Sequence, residues 1–396
     1  MDEYVAPSLA AKAASAQQIQ LYTNFVVSAY PCYFKATMSR LPINWIEYIS
    51  SQCGGRADSP FDWAVRSVTT MYTGSLHNDP RYLDASRGLY LRALRGLSGL
   101  LGHMSTAKLD ETMATAVVLA VYEMHSCTTT EGWIHHTCGI QALTRLRGAG
   151  AHLHGLGRAL FIASRNTFVT SALVTGEACF LEESAWQELN EQIAAENARK
   201  PDSSVYTDIT ERAFREIVKL PGYVKRVRDL RWTAPSVENK KRPTLLYEVL
   251  AARAALRGIH TEFSVSVSTR RADHTLQTDF IGPIPHHFFD RFTSLSIKGI
   301  RSGILLLNYL IILLDPCQRS TAEAENRIIT DRIQTDEDSR SAPSLLTPPW
   351  SPGRPRLMIK SIIGPETREP PTSDWMDRIA TTMGMEGVRV NLVDDG

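Results

Sequence analysis

The stretch 109–126, LDETMATAVVLAVYEMHS, carries apolar or small side chains around almost its whole helical circumference. A helix of that kind has no face to give to water, so it must be covered by other elements on every side. The surrounding sequence offers helices to do this. Residues 17–34 show apolar side chains at helical spacing until Pro31 interrupts. Ser59 followed by Pro60, and Asp79 followed by Pro80, are start signals for helices over 60–75 and 80–102, because Ser and Asp cap free N–H groups and Pro fits the first turn. The second of these helices is expected to bury Tyr82, Leu83, Leu89, Tyr90, Leu94, Leu97 and Leu101 on one face.

The same pattern continues downstream. WIHHTCGIQALTRLRG, residues 133–148, is a helix closed by Gly148, with Trp133, Ile140, Leu143 and Leu146 on its buried face. Gly139 and Ala142 leave room there for a neighbouring helix. A turn over 149–157 leads to helices over 158–176 and 182–199, and helical periodicity resumes over 204–232, 242–263, 288–315 and 321–335. Residues 264–290 are less regular, and SVSVST reads as a loop. The ending SDWMDRIATTMGMEGVRV, 373–390, reads as one last helix. There is no alternation of strand and helix and no fixed-period repeat. The predicted fold is therefore all-α, a large multi-helix domain of packed antiparallel helix pairs. Its predicted extent is 1–334, followed by a Ser/Pro-rich mobile loop or linker over 335–355 and a C-terminal segment, 356–396, whose short helix packs on the main domain.

Charge narrows the partners. The 43 basic and 42 acidic side chains leave a net charge of +1, which gives no overall pull toward nucleic acid or an anionic membrane. The N-terminus shows no secretory signal. The run GILLLNYLIILLD, 303–315, is shorter than the roughly 20 apolar residues of a membrane span, and reads as a core helix. None of the six cysteines stands in a C-x2-C pair, which argues against a structural zinc module.

One block concentrates polar chemistry: Glu123, His125, Cys127, His135, His136 and Cys138, with His152 and His154 close behind. Adjacent His135 and His136 point about 100° apart on a helix, so they converge poorly on one ion. The block reads as structural packing, with Cys127 and Cys138 as small buried residues, and no cofactor or metal is expected. No nucleophile elbow, P-loop, kinase set or aspartate-rich diphosphate motif occurs. The basic stretch YVKRVRDLRW, 223–232, sets Lys225, Arg226, Arg228 and Arg231 against the apolar Tyr223, Val224, Val227 and Leu230. It reads as a solvated helix face, with a nucleic-acid or acidic-partner patch as the alternative. NKKRP at 239–243 has the form of a weak nuclear import signal.

The order of these elements resembles the helical regulatory (middle homology) domain of fungal zinc-cluster transcription factors. The resemblance runs through FDWAVRSVTTMYTG and ASRGLYLRALRGL. It is closest where Tyr122-Glu123 ends an apolar helix and Trp133, His136, Gly139, Leu143 and Arg147-Gly148 follow, with Arg158, Phe161, Arg165 and Trp186 beyond. It covers nearly the whole chain, except that the six-cysteine DNA-reading cluster of that family is absent. The resemblance implies a nuclear (or cytoplasmic) non-enzymatic regulator without its own DNA-binding module. It would modulate a metabolic or secondary-metabolite gene set through protein partners, a zinc-cluster factor or a second copy of itself, with no membrane. The alternatives are an enzyme with an inter-helix pocket and an inhibitory paralogue of a full-length regulator.

Overall fold

The computed structural model describes residues 17–18, 20–22, 24–25, 59–126, 132–199, 205–230, 235–273, 286–338, 356–360 and 389–393. The described chain is all-α, built from packed helix pairs. Helices α1 (Pro60–His77), α2 (Pro80–Leu101), α3 (Asp110–Ser126), α4 (Gly132–Arg147) and α5 (Gly155–Thr175) are followed by α6 (Ser184–Ala198), α7 (Val205–Ile217) and α8 (Leu220–Leu230). The long α9 (Pro235–Asp273), α10 (His286–Leu314) and α11 (Arg319–Asp338) complete the helical part. Two segments, β1 (Arg356–Lys360) and β2 (Arg389–Val393), pair in parallel with Arg356 opposite Arg389. The helices fall into two compact units, divided inside α5 between Arg165 and Asn166.

In the first unit, both expected caps form. The Ser59 hydroxyl accepts from Asp62 N at 3.0 Å, and the Asp79 carboxylate accepts from Arg81 N at 2.9 Å. Such caps contribute about 1 kcal/mol each. Helix α3 is the centre, with every residue from Thr112 to Glu123 buried. The buried face of α2 is Ser86, Tyr90, Ala93 and Leu97, of which Ser86 and Tyr90 meet Tyr122 of α3. Of the face expected from the sequence, Tyr90 and Leu97 are buried, Leu83, Leu89 and Leu94 are half-buried, and Tyr82 and Leu101, near the two ends of the helix, are 46% and 44% exposed.

The second unit is organised around α10. Its residues Ile300 to Leu307 are all buried, as a core helix requires. Ser296–Leu314 is long and apolar enough to cross a membrane, yet it is mostly buried among neighbouring helices. Helix α9 presents Leu245, Val249, Ala252, Leu256, Ile259 and Phe263, a stripe of helical period, all buried. A Cβ on Gly303 would lie 3.0 Å from the Leu256 side chain, so this glycine lets α9 and α10 approach closely.

Three expectations need correction or fall outside the described residues. SVSVST belongs to α9, which runs unbroken to Asp273. Phe263, fully buried, anchors α9 immediately before this stretch. Residues 335–338 are the end of α11, while the rest of the expected linker lies outside the described residues. The expected last helix over 373–390 also lies outside them, except for Arg389 and Val390, which belong to β2. Pro243 sits within α9, where it can make no backbone N–H bond.

Candidate functional site

The polar block resolves into a connected buried group at the junction of α2, α3 and α4. Tyr122 stacks on Tyr90 with ring centroids 4.4 Å apart and planes 15° from parallel. The Ser86 hydroxyl donates to the Leu83 carbonyl at 2.7 Å, so Tyr122 OH is the donor in the 3.1 Å bond between them. Tyr90 OH lies 2.8 Å from His136 Nε2. Burial, then hydrogen bonding to Glu123, raises the Tyr90 phenol well above its ordinary range. A phenol has one proton. With that proton directed to Glu123, His136 donates from Nε2, giving a chain from imidazole to phenol to carboxyl. Glu123 is 3% exposed, so this bond answers the cost of burying it.

The electrostatics keep the group neutral where neutrality helps. Burial depresses the His136 pKa against the opposing pull of Glu123. Burial likewise pushes His125 down to about 4, where its ring meets Phe25 edge-on at 5.5 Å. Chemically, the set can hold and pass a proton between fixed partners, and it ties three helices together.

The other residues of the block separate. His152 is fully buried with Nδ1 3.1 Å from the Gly157 carbonyl oxygen, while His135 and His154 are exposed. Cys138 is exposed, against the expectation of a small buried residue, because it lies on the side of α4 away from α3. Cys127 lies outside the described residues. Gly139 and Ala142 are exposed as well, so the neighbouring helix expected there is not supplied by the described residues. Leu146 is 39% exposed, while Trp133, Ile140 and Leu143 are buried as expected. Trp133 Nε1 has no partner among the described residues. No group of three or more His, Cys, Asp or Glu converges as a metal site among them.

The Arg147-Gly148 turn has a defined task. Arg147, its side chain 4% exposed, pairs with Asp110 and so joins the end of α4 to the start of α3. Asp110 therefore serves as an ion-pair partner at the start of α3. Gly148 takes φ 77° and ψ 158°, a region essentially restricted to glycine, and its N–H closes α4 on Thr144 and Arg145. A Cβ on Gly157 would sit 2.3 Å from the Ala151 carbonyl oxygen, so the chain packs tightly beneath this ion pair. Arg158 and Phe161 are buried beyond the turn, and Arg165 is 7% exposed.

In the second unit the basic stretch occupies α8. Tyr223, Val224, Val227 and Leu230 are buried, as the pattern requires. Lys225 pairs with Glu177, and Arg226 pairs with Glu248 at 2.7 Å while lying 5.0 Å over the Tyr223 ring. Arg228 lies 3.6 Å from Asp229 and against Gly176. Arg231 lies outside the described residues. Glu182 reaches the start of α8, where its carboxylate accepts from Gly222 N at 3.1 Å. Burial lifts its pKa to about 7, against the lowering effect of that bond.

A second, partly buried network joins α9, α10 and α11 and was not anticipated from the sequence. Arg253 donates to Asn308 Oδ1 at 2.9 Å, and Asn308 Nδ2 donates to Glu325 at 2.7 Å. Arg257 grips the same Glu325 through two bonds of 2.6 and 2.5 Å. One layer away, Arg301 donates to His260 Nε2 at 3.1 Å, and burial, Arg301 and Arg332 push that histidine down to about 4. Two signals were available: Asn308 interrupts an otherwise apolar run, and Arg253 stands on the apolar stripe of α9.

No family model matches the chain, and no solved structure matches it. Over 397 residues it is 50% identical to the uncharacterized protein AN5342 of Emericella nidulans, an alignment that covers 99% of this chain and 85% of the relative. At that identity and coverage, the chain belongs to the same family as this Emericella nidulans protein.

Proposed function

We propose that the chain is a fungal transcription-regulator-like helical domain that acts in the nucleus through protein partners, a zinc-cluster transcription factor or a second copy of itself, to modulate a metabolic gene set. The observation that carries this reading is the α3–α4 hairpin. Tyr122, Glu123, Trp133, His136 and Arg147-Gly148, the residues on which the resemblance is closest, fall in one hairpin, buried or half-buried, and Tyr122 and His136 link it to α2 by hydrogen bonds. The fungal source of the relative supports the same reading. The ion pairs of Lys225, Arg226 and Arg228 support assigning sequence-specific DNA contact to the partner, since charges already matched by carboxylates contribute less to phosphate binding.

The test is a tethered reporter in a filamentous fungal host, with the chain fused to an unrelated DNA-binding module. Reporter output should change several-fold relative to the module alone. Replacing Lys225, Arg226 and Arg228 together by alanine should leave that change in place, provided the variant folds. Output identical to the module alone would sink the regulator reading.

A further inference from the structure

The junction of α9, α10 and α11 holds more positive charge than its one carboxylate answers. Arg253 is 9% exposed, and the single hydrogen bond of its guanidinium runs to a neutral amide, Asn308 Oδ1, at 2.9 Å. Arginine keeps its proton in a protein, so burial there leaves a charge whose cost a bonded anion would offset. Burial first, then the charge of Arg257, draws the Arg253 pKa below the ordinary arginine value, against the pull of Glu325. Glu325 is already taken. Arg257 binds it through Nε and Nη2, and Asn308 Nδ2 binds it as well. Two guanidinium groups therefore share one carboxylate. Other acids nearby in sequence are engaged elsewhere: Glu248 with Arg226, Glu262 with Arg212 and Glu323 with Arg319. Asp331 stands about 120° round α11 from Glu325, and α10 has no Asp or Glu between residues 291 and 314. The positive side extends one layer on, where Arg301 and Arg332 both act on His260.

The donors left unbonded here are open to the surface. Arg253 Nε and Nη2 have no partner among the described residues, yet they are not sealed in, whereas the unbonded Nε and Nη1 of Arg147 are. Arg257 is 42% exposed and keeps Nη1 free beyond its two bonds to Glu325. Asn326 Oδ1 accepts from Asn308 at 2.9 Å, and its Nδ2 also reaches the surface without a partner among the described residues. All three side chains bond to the one pair Asn308 and Glu325, so their spare donors belong to a single connected group. Arg253 and Arg257, four residues apart, are neighbours on one face of α9. An oxyanion accepts several N–H bonds at once and meets the arginine fork in two parallel ones. Because Arg253 is nine-tenths buried, the group that meets it must be small.

We infer that the α9–α10–α11 junction is a binding site for a small oxyanion, the phosphate or carboxylate group of a ligand, which takes its hydrogen bonds from Arg253, Arg257 and Asn326. The inference stands apart from the regulator reading and does not depend on it.

Thermal melting of the full chain tests this, with inorganic phosphate or, separately, succinate replacing sodium chloride at constant ionic strength. At least one of the two should raise the melting temperature saturably, by about 2 °C or more. A response to phosphate alone points to a phosphorylated ligand, and one to succinate alone to a carboxylate. Arg253→Gln should shift the half-saturating concentration upward about ten-fold or more. Asn326→Asp is the sharper variant. It keeps the oxygen that Asn308 bonds and sets a negative charge where the unbonded amide nitrogen stood. It should therefore melt above the parent in chloride and lose the oxyanion response. Unchanged circular dichroism shows that a variant is folded, and Asn326→Asp decides alone if Arg253→Gln does not fold. The inference is overturned by a parent that responds to neither oxyanion or by a response that the folded variants keep. It is equally overturned by an Asn326→Asp chain that melts no higher than the parent, since the added charge would then meet only the repulsion of Glu325.

Discussion

At the scale of single residues, the two units place carboxyl groups in opposite situations. Asp79 is held below the usual carboxylate range by its bonds to Arg81, whereas Glu182 is lifted by burial to about 7 from a usual 4.5. Between those two values the folded chain holds a proton at Glu182 that the unfolded chain has released, so this residue's contribution to stability grows as pH falls from 7 toward 4.5. His125 and His260 act with the opposite sign. Their folded values of about 4 lie below the usual 6.5, so acidification below 6.5 favours the unfolded chain. Glu182→Gln isolates the first effect. The melting temperature of the parent relative to the variant should rise steadily from pH 7 to pH 4.5, and a difference independent of pH would show that the carboxyl is not buried as described. Gly222 has to be glycine for this contact, since a Cβ there would lie 2.4 Å from Glu182 Oε1. Nothing in the sequence marked Glu182, because its partner is a backbone N–H forty residues away. Arg147 and Gly148 were legible through the helix-ending turn they form, while the pairing of Arg147 with Asp110, thirty-seven residues apart, was not.

At the scale of elements, helix starts were the most legible feature, because a cap is a local interaction. Ser59-Pro60 and Asp79-Pro80 both cap as their residue types require. Faces were legible where burial is total and less so where it is shared. All of α3 reads correctly from its composition, but on α2 the expected face matches the buried one only in part: Tyr90 and Leu97 lie in it, Tyr82 and Leu101 do not, and Ser86 and Ala93 join it. Small side chains lie in the buried stripe there, and Tyr90 reaches across to stack on Tyr122 of α3. The α3–α4 hairpin depends on Trp133, which is 6% exposed and anchors the start of α4. Trp133→Ala should destabilise the fold by about 3–5 kcal/mol, the usual effect of emptying a buried aromatic site. Denaturant unfolding measures this directly, and an unchanged midpoint would show that α4 does not depend on that side chain. His136→Ala should cost less, since the half-buried ring leaves Tyr90 able to find water.

At the scale of the whole molecule, the all-α class was legible because helical period dominates nearly every apolar segment, and far-ultraviolet circular dichroism should show the double minimum of a helical protein. A sheet-dominated spectrum would contradict the architecture, since the five-residue pair β1 and β2 is the only ladder among the described residues. The division inside α5 was not legible: the sequence from Arg158 to Gly176 keeps one helical period across Arg165 and Asn166. The buried network of the second unit was half legible, since Asn308 and Arg253 announce buried polarity but not their partner. Glu325 lies seventeen residues beyond Asn308 and sixty-eight beyond Arg257. The apolar stretch Ser296–Leu314 therefore depends, for the carboxylate bound by Asn308 and Arg257, on the helix that follows it. A chain cut after Leu314 would keep its most apolar helix and lose that carboxylate, so it should refold less completely from denaturant than the full chain does, and equal recovery of the two would contradict this.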